Sequence, residues 1–564
     1  MGHQTAIAHW DETFLRMDGK GWLRALIGAF LLALAPMLPA QEAANRAPLF
    51  EGLGNHHHPV TTNSERAQRY FDQGLVLAFG FNHAEAYRSF RQAAEIDPEC
   101  AMAWWGAAWV LGPNINGAMD PAQVPRAWEL LQKAQATAEG ASARERAYID
   151  ALAKRYGPEA LADRSPRDQA FALAMGRVAE RYPDDLDARV IHAEALMDTT
   201  PWDYWREDGD PKEVTRTILA ALQEVLRRQP DHPMANHLLI HAVEAAHPLR
   251  GLEEAHRLED LVPGAGHLVH MPAHIYIRLG RYHEATRANL RAIEADRRYL
   301  KQVDTQGAYP LAYVPHNYHF GWATATLEGR SELALRLARE MADMVDEQAM
   351  RRRPLTTLQH YWITPLYALV RFGRWNEILA RPEPADDLVY PRAVWHYARG
   401  MAYTRQGQSE AARAELRQLK DLRADPSLKW VTVWDINKSR HILEIAAHAL
   451  AGELAAARGD YPAALRSLER AVVREDALNY DEPPTWHYPV RQSLGAVLLE
   501  AGRPQRAEAV YREDLARFPE NGWSLYGLLE ALRRQGKMTE AQRVQRRFRE
   551  AWRHADVTLT ASRF

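Results

Sequence analysis

The chain of 564 residues has a single cysteine, Cys100. One thiol cannot form an intramolecular disulfide, fill a cysteine-rich zinc site or supply a CxxCH haem attachment. Any metal must therefore be held by imidazole and carboxylate. Net charge is nearly absent as well: 70 Lys+Arg against 73 Asp+Glu leave -3, so no global field draws the chain to nucleic acid. There is no GxSxG elbow, Walker loop, Rossmann glycine fingerprint or HExxH, which removes common hydrolase, nucleotide-dependent and metalloprotease mechanisms. The segment "HLLIH" has His-x-x-x-His spacing but no glutamate directly after its first histidine.

Long apolar runs are scarce too. The stretch "ALIGAFLLALAPMLPA", Ala25 to Ala40, is too short and too proline-interrupted for a comfortable transmembrane helix. With Lys20 and Arg24 ahead of it and a polar segment after, residues 1–40 read as a bacterial-type secretory signal, with Met17 as an alternative start. Leu38 is a poor residue three places before a cut after Ala40, so an uncleaved membrane anchor is the alternative. Both readings place the body of the protein outside the cytoplasm, periplasmic or secreted.

What the sequence does have is histidine, 24 in all, within a composition 47% hydrophobic and 25% charged. That composition suits an ordered protein, and the length demands several cores or a repeat array. A repeat is present. From Ala67 the chain reads "AQRYFDQGLVLAFGFNHAEAYRSFRQAAEIDP", with small residues at Gly74, Ala86 and Ala93, an aromatic at Phe90 and a closing Pro98. The same punctuation returns in "LGRYHEATRANLRAI" from Leu279, "EGRSELALRLAREM" from Glu328, "FGRWNEIL" from Phe372 and "QGQSEAARAEL" from Gln406. Three further copies start at Arg458, Ala501 and Gln535.

This pattern resembles the tetratricopeptide repeat over roughly residues 65–550. The resemblance implies an all-α fold, a right-handed α-solenoid of helical hairpins, preceded by an extension over 41–64 and followed by a tail over 551–564. The segments "PGAGHLVHMPAHIYIRLGRY" and "YVPHNYHFGWAT" resemble a bacterial group of exported tetratricopeptide proteins.

In that family the second, fifth and ninth residues of each repeat, all on the first helix, face the concave groove. With Gly280 as fifteenth residue, His267, His270 and His274 take those places. Gly329 gives the same status to His316 and His319, and Gly373 to His360. In the preceding repeat, His237, His241 and Glu244 are spaced by four and three and share a helix face. Neighbouring first helices lie on the order of 10 Å apart, so imidazoles from successive repeats can converge. The expected ligand set over repeats 234–375 is thus His237, His241, His267, His270, His274, His316, His319 and His360, with Glu244 as ligand or general base.

The nitrogen-rich, thiolate-free set suits copper or zinc, then iron, with no haem or nucleotide. Zinc would activate water; copper or iron would favour oxidation. The competing expectation is a scaffold or receptor whose groove histidines contact a peptide, without catalysis. A small molecule or a peptide is the expected groove ligand.

Other residues carry simpler expectations. His396 and His448 fall off the groove positions and should pack; His83 lies in a turn; His487 is a loop residue open to either role. His56, His57 and His58 form an N-terminal flap that can reach the site. Trp523 and Tyr526 sit at places two and five of the last clear repeat and are expected mainly to pack. Asp481, Glu482 and Arg491 could complete a polar end of the pocket, although solvated loop charges are the simpler reading.

Overall fold

The computed structural model describes residues 47–303, 307–353 and 355–564; the expected signal segment 1–40 lies outside the described residues. No helix among the described residues is long and apolar enough to cross a membrane. The chain folds as an all-α tetratricopeptide-type solenoid, with one short β-ribbon, Thr432–Val433 against Asn437–Lys438.

Each hairpin follows from its sequence punctuation. In the first, Glu65–Phe79 and His83–Ile96, the ring of Phe90 occupies the space a Cβ at Gly74 or at Gly106 of the next helix would need. Two glycines on adjacent helices therefore admit one fully buried aromatic, which stabilises by about 2–3 kcal/mol. Between later helix pairs the turn glycines adopt left-handed φ, Gly280 at 73° and Gly329 at 77° among them, a conformation that costs a residue with a Cβ about 1–2 kcal/mol. Side-chain caps from Ser64, Asp185, His232 and Asn521 close helix N-termini.

The first helices of successive hairpins form an inner layer. Its central members are Pro233–Val243, Gly266–His270 continuing as Pro272–Arg278, Val314–Leu327 and Thr357–Arg371. Pro272 divides the second of these, because a proline donates no backbone hydrogen bond inside a helix.

The inner layer is a filled interior, and segments distant in sequence close it. The Phe79 carbonyl accepts from His237, Trp523 donates to the Thr326 carbonyl at 2.9 Å, and Tyr282 donates to the Pro519 carbonyl at 2.8 Å. Beyond residue 551 the chain packs back: Asp556 accepts from the Ser331 and Glu332 amides, and Arg563 pairs with buried Glu453 at 3.0 Å. The N-terminal stretch is tied down similarly, with Gly264 donating to the Gly52 carbonyl.

Candidate metal centre

All eight histidines expected as ligands are buried, as is Glu244. Six of the eight come together. His237, His241 and His267 form one group and His270, His274 and His316 a second, with the facing nitrogens of each group within 4.8 Å of one another. Glu244 joins the groups: its carboxylate lies 3.6 Å from His241 Nδ1 and 2.8 Å from His274 Nδ1. The remaining two, His319 and His360, lie beside each other with ring centroids 5.4 Å apart and belong to neither group. His319 stacks on Trp322, and His360 Nδ1 meets the Tyr390 hydroxyl at 2.7 Å.

Hydrogen bonds around the cluster determine which nitrogens point inward. His237 Nδ1 faces the Phe79 carbonyl at 2.6 Å, and a carbonyl only accepts, so this nitrogen carries the proton and Nε2 presents a lone pair. Asn289 donates its amide to the Ala285 carbonyl at 2.8 Å, which leaves its oxygen to accept from His270 Nδ1 at 2.7 Å. His274 directs Nδ1 at the Glu244 carboxylate. The two remaining nitrogens, His270 Nε2 and His274 Nε2, face each other at 2.9 Å. With His270 protonated on Nδ1, its Nε2 presents a lone pair to His274 Nε2, and a proton or a cation between the two rings accommodates that contact.

Elsewhere the cluster is short of partners. Both nitrogens of His241 and of His267, Nε2 of His237 and Nδ1 of His316 are buried without a hydrogen-bond partner. Burial pulls His237, His267, His270 and His316 well below the ordinary imidazole range, and repulsion among the rings adds to it. Burial pushes against ionisation of Glu244, but the His274 and His241 imidazoles outweigh it and hold the carboxyl down at about 2. The arrangement is a ring of imidazole donors around one fixed carboxylate.

The backbone beneath the cluster is specialised. Tyr309, in a π-turn over Tyr309–Tyr313, donates to Asp296 at 2.8 Å and accepts from the His267 amide at 3.0 Å. Asp296 lies so close to Gly266 that a Cβ there would collide with its carboxylate. Burial pushes the Asp296 carboxyl up to about 7, against the opposing hydrogen bonds from Tyr309 and Asn317.

Beside Glu244 lies a cavity of about 150 Å³. Its floor includes His241, His267, His274 and His316; its walls include Trp202, Tyr313 and Trp434. Asp481 and Glu482 line it, pushed up by burial to about 7 and about 8, whereas Arg491 pairs with Asp476 away from the cavity. Trp523 is fully buried against Arg371, Trp552 and Phe564, and Tyr526 packs on Phe548. His396 bonds Glu415, and His487 is buried against Tyr367 and Tyr397. His448 is half-buried at the outer surface.

A third cluster was only half visible in the sequence. His56 and His58 of the flap converge with His232 on the buried Asp187, at 3.0, 2.7 and 3.1 Å. His57 faces outward and meets Asp72. Asp187 and His232 stand on different hairpins from the flap and from each other, so no local spacing links them.

A tetratricopeptide repeat model matches residues 394–418, 445–470 and 493–513, beyond the histidine-bearing hairpins. The chain carries tetratricopeptide repeats. No curated protein matches it. Among solved structures it is similar to the APC/C hetero-tetramer Cut9-Hcn1, at 14% identity over 83% of this chain and 76% of that one, TM-score 0.30. It is also similar to a human IFIT1 dimer with m7Gppp-AAAA, at 12% identity over 87% and 91%, TM-score 0.28. A third is the P58(IPK) TPR domain, at 12% identity over 84% and 99%, TM-score 0.23.

Proposed function

We propose that the central repeats hold a pair of metal ions, one on His237, His241 and His267 and one on His270, His274 and His316, with Glu244 between them. The observation that carries this reading is the facing pair His270 Nε2 and His274 Nε2 at 2.9 Å, with His270 Nδ1 bonded to Asn289 and His274 Nδ1 beside the Glu244 carboxylate. A cation satisfies both lone pairs at once. The second ion takes one nitrogen each from His241 and His267, where an unsatisfied buried nitrogen costs about 1–3 kcal/mol.

The surroundings support a metal over a merely packed cluster. Metal-bound histidine typically donates its second ring nitrogen to a carbonyl, amide oxygen or carboxylate, which orients the ring. Phe79, Asn289 and Glu244 supply one of each. Imidazoles with one carboxylate and no thiolate suit copper or zinc, with iron next. Zinc supplies an activated water and copper or iron supplies redox chemistry; in either case Glu244 balances charge and the cavity gives access to the ions. His319 and His360 take no part as ligands. The signal-like pattern of residues 1–40 supports a place of action outside the cytoplasm.

The second reading, a scaffold without catalysis, is favoured by the repeat itself, since tetratricopeptide domains generally bind proteins or peptides. Burial counts against a histidine-lined peptide groove: the six clustered rings are turned inward and enclosed.

The test is elemental mass spectrometry on tag-free protein beside a His270→Ala/His316→Ala variant. About two ions per chain in the parent and a loss in the variant is the expected result. No stoichiometric metal after reconstitution with copper, zinc and iron overturns the reading and leaves a protonated imidazole network inside a scaffold.

A further inference from the structure

The cavity beside the histidines has a definite size and wall chemistry. About 150 Å³ matches the space that holds one benzene-sized molecule in an apolar protein cavity. Ile115, Ile436, Trp202, Tyr313 and Trp434 supply apolar and aromatic walls. Asn116, Trp202, Trp434, Ile436, Tyr480 and Asp481 are half-buried, so the rim reaches solvent while the histidine floor does not.

Backbone strain collects at two of these walls and beside the histidine cluster. Non-glycine residues with left-handed φ include Phe81 at 57°, Trp202 at 62° and Trp434 at 53°. All three aim rings at the cluster: Phe81 lies 4.6 Å from His237, Trp202 5.1 Å from His241 and Trp434 5.9 Å from His316, between ring centroids. A bulky residue held there costs about 1–3 kcal/mol, which the surrounding packing must offset. Tyr313 ends a π-turn, another uncommon backbone form that collects at functional sites. Three uncommon backbone placements thus put the rings of Trp202, Tyr313 and Trp434 around one cavity, and a fourth sets Phe81 against His237 outside it.

Polar atoms along the same space lack partners. The Tyr480 hydroxyl, Glu482 Oε2 and His316 Nδ1 are buried and unbonded, as are both nitrogens of His241 and His267. A purely apolar occupant would leave them so; a small anion would fit the imidazole face but leave the aromatic walls uncovered. An occupant with one ring and one hydroxyl covers the aromatic walls and brings one polar group to this face.

We infer that the cavity binds a single-ring phenol, its ring against Trp202, Tyr313 and Trp434 and its hydroxyl directed to the histidine face. The fit of the ring stands on the cavity alone. The hydroxyl's preference for the histidine face rests on the metal reading above, where its oxygen approaches the bound ions.

The experiment is calorimetric titration of tag-free protein of measured metal content with phenol, toluene and 1-naphthol, repeated on Ile436→Trp and Trp434→Ala. Phenol should bind one per chain, about tenfold or more tighter than toluene, because a hydrogen bond or metal contact of about 1.4 kcal/mol separates them. The two-ring 1-naphthol should be excluded. Ile436→Trp, which fills the cavity from its half-buried rim, should abolish phenol binding with metal content and helicity unchanged; Trp434→Ala should weaken it. No saturable phenol binding overturns the inference, as does phenol binding that survives Ile436→Trp in a helical protein. Toluene binding as tightly as phenol overturns the hydroxyl's role. Phenol binding blocked by Ile436→Trp in a protein without stoichiometric metal refutes the metal reading and upholds the ring site; metal without phenol binding does the reverse.

Discussion

At the scale of single residues, a metal site is tuned by what stands behind each ligand. Asn289 touches no inward nitrogen, yet its oxygen fixes the tautomer and orientation of His270, and its own amide is pinned by the Ala285 carbonyl. Asn289→Leu keeps the bulk and removes the acceptor. It should weaken metal affinity by about 10–100-fold in chelator competition, with helicity by circular dichroism unchanged. A second residue-scale prediction concerns acid. Metal ligands must be deprotonated, so an ordinary histidine site begins to lose its ion as pH falls through about 6.5. Here burial depresses the pKa values of His237, His267, His270 and His316, so between about 6.5 and those lower values these four rings remain neutral and do not exchange metal for a proton. Metal release on dialysis to successively lower pH should have its midpoint below about 6.5; a midpoint near 6.5 would show exposed, ordinary imidazoles instead.

Helices and turns show what the sequence reveals and what it hides. Gly280 and Gly459 are both turn glycines with left-handed φ, but a Cβ at Gly280 would collide with the Pro519 carbonyl, whereas nothing lies within 4 Å of one at Gly459. Gly459→Ala should cost the conformational penalty alone, about 1 kcal/mol, and Gly280→Ala distinctly more, read as the difference in denaturant midpoints. The turns themselves were legible because glycine there has a local cause. The face carrying His267, His270 and His274 was legible for a related reason: helical spacing and the repeat register together fix direction. His319 shows the limit. Three residues along a helix rotate a side chain by roughly 60° from its starting line, enough to turn His319 from the His316 group toward His360. Asp187, His232 and the flap histidines meet through tertiary packing, which no spacing within one segment encodes. The aromatic cage was hidden too, because left-handed tryptophans have no sequence signature comparable to a turn glycine.

For the whole molecule the question is cooperativity. An open repeat array has interactions only between neighbours, so its ends fray and its stability is a sum of local terms. This chain adds contacts between distant hairpins: the first helix supplies the carbonyl that orients His237, and the last repeats rest on Gly280 and Thr326. The terminal segment tightens that closure, with Arg563 beside buried Glu453, Ser562 bonded to Tyr511 and Trp552 packed on Trp523. Removing residues 552–564 leaves Glu453 with Arg405 as its remaining cation and uncovers Trp523. Hydrogen exchange should therefore show the last two hairpins of the full chain protected nearly as well as the histidine-bearing helices. In the truncated chain, amides of 490–551 should exchange faster by an order of magnitude or more, while amides of 233–278 keep their protection and the metal content holds. Uniform loss of protection would mean that the closure supports the metal cluster directly; no change would mean that the terminal segment is a passive cover and the array behaves as a chain of independent neighbours.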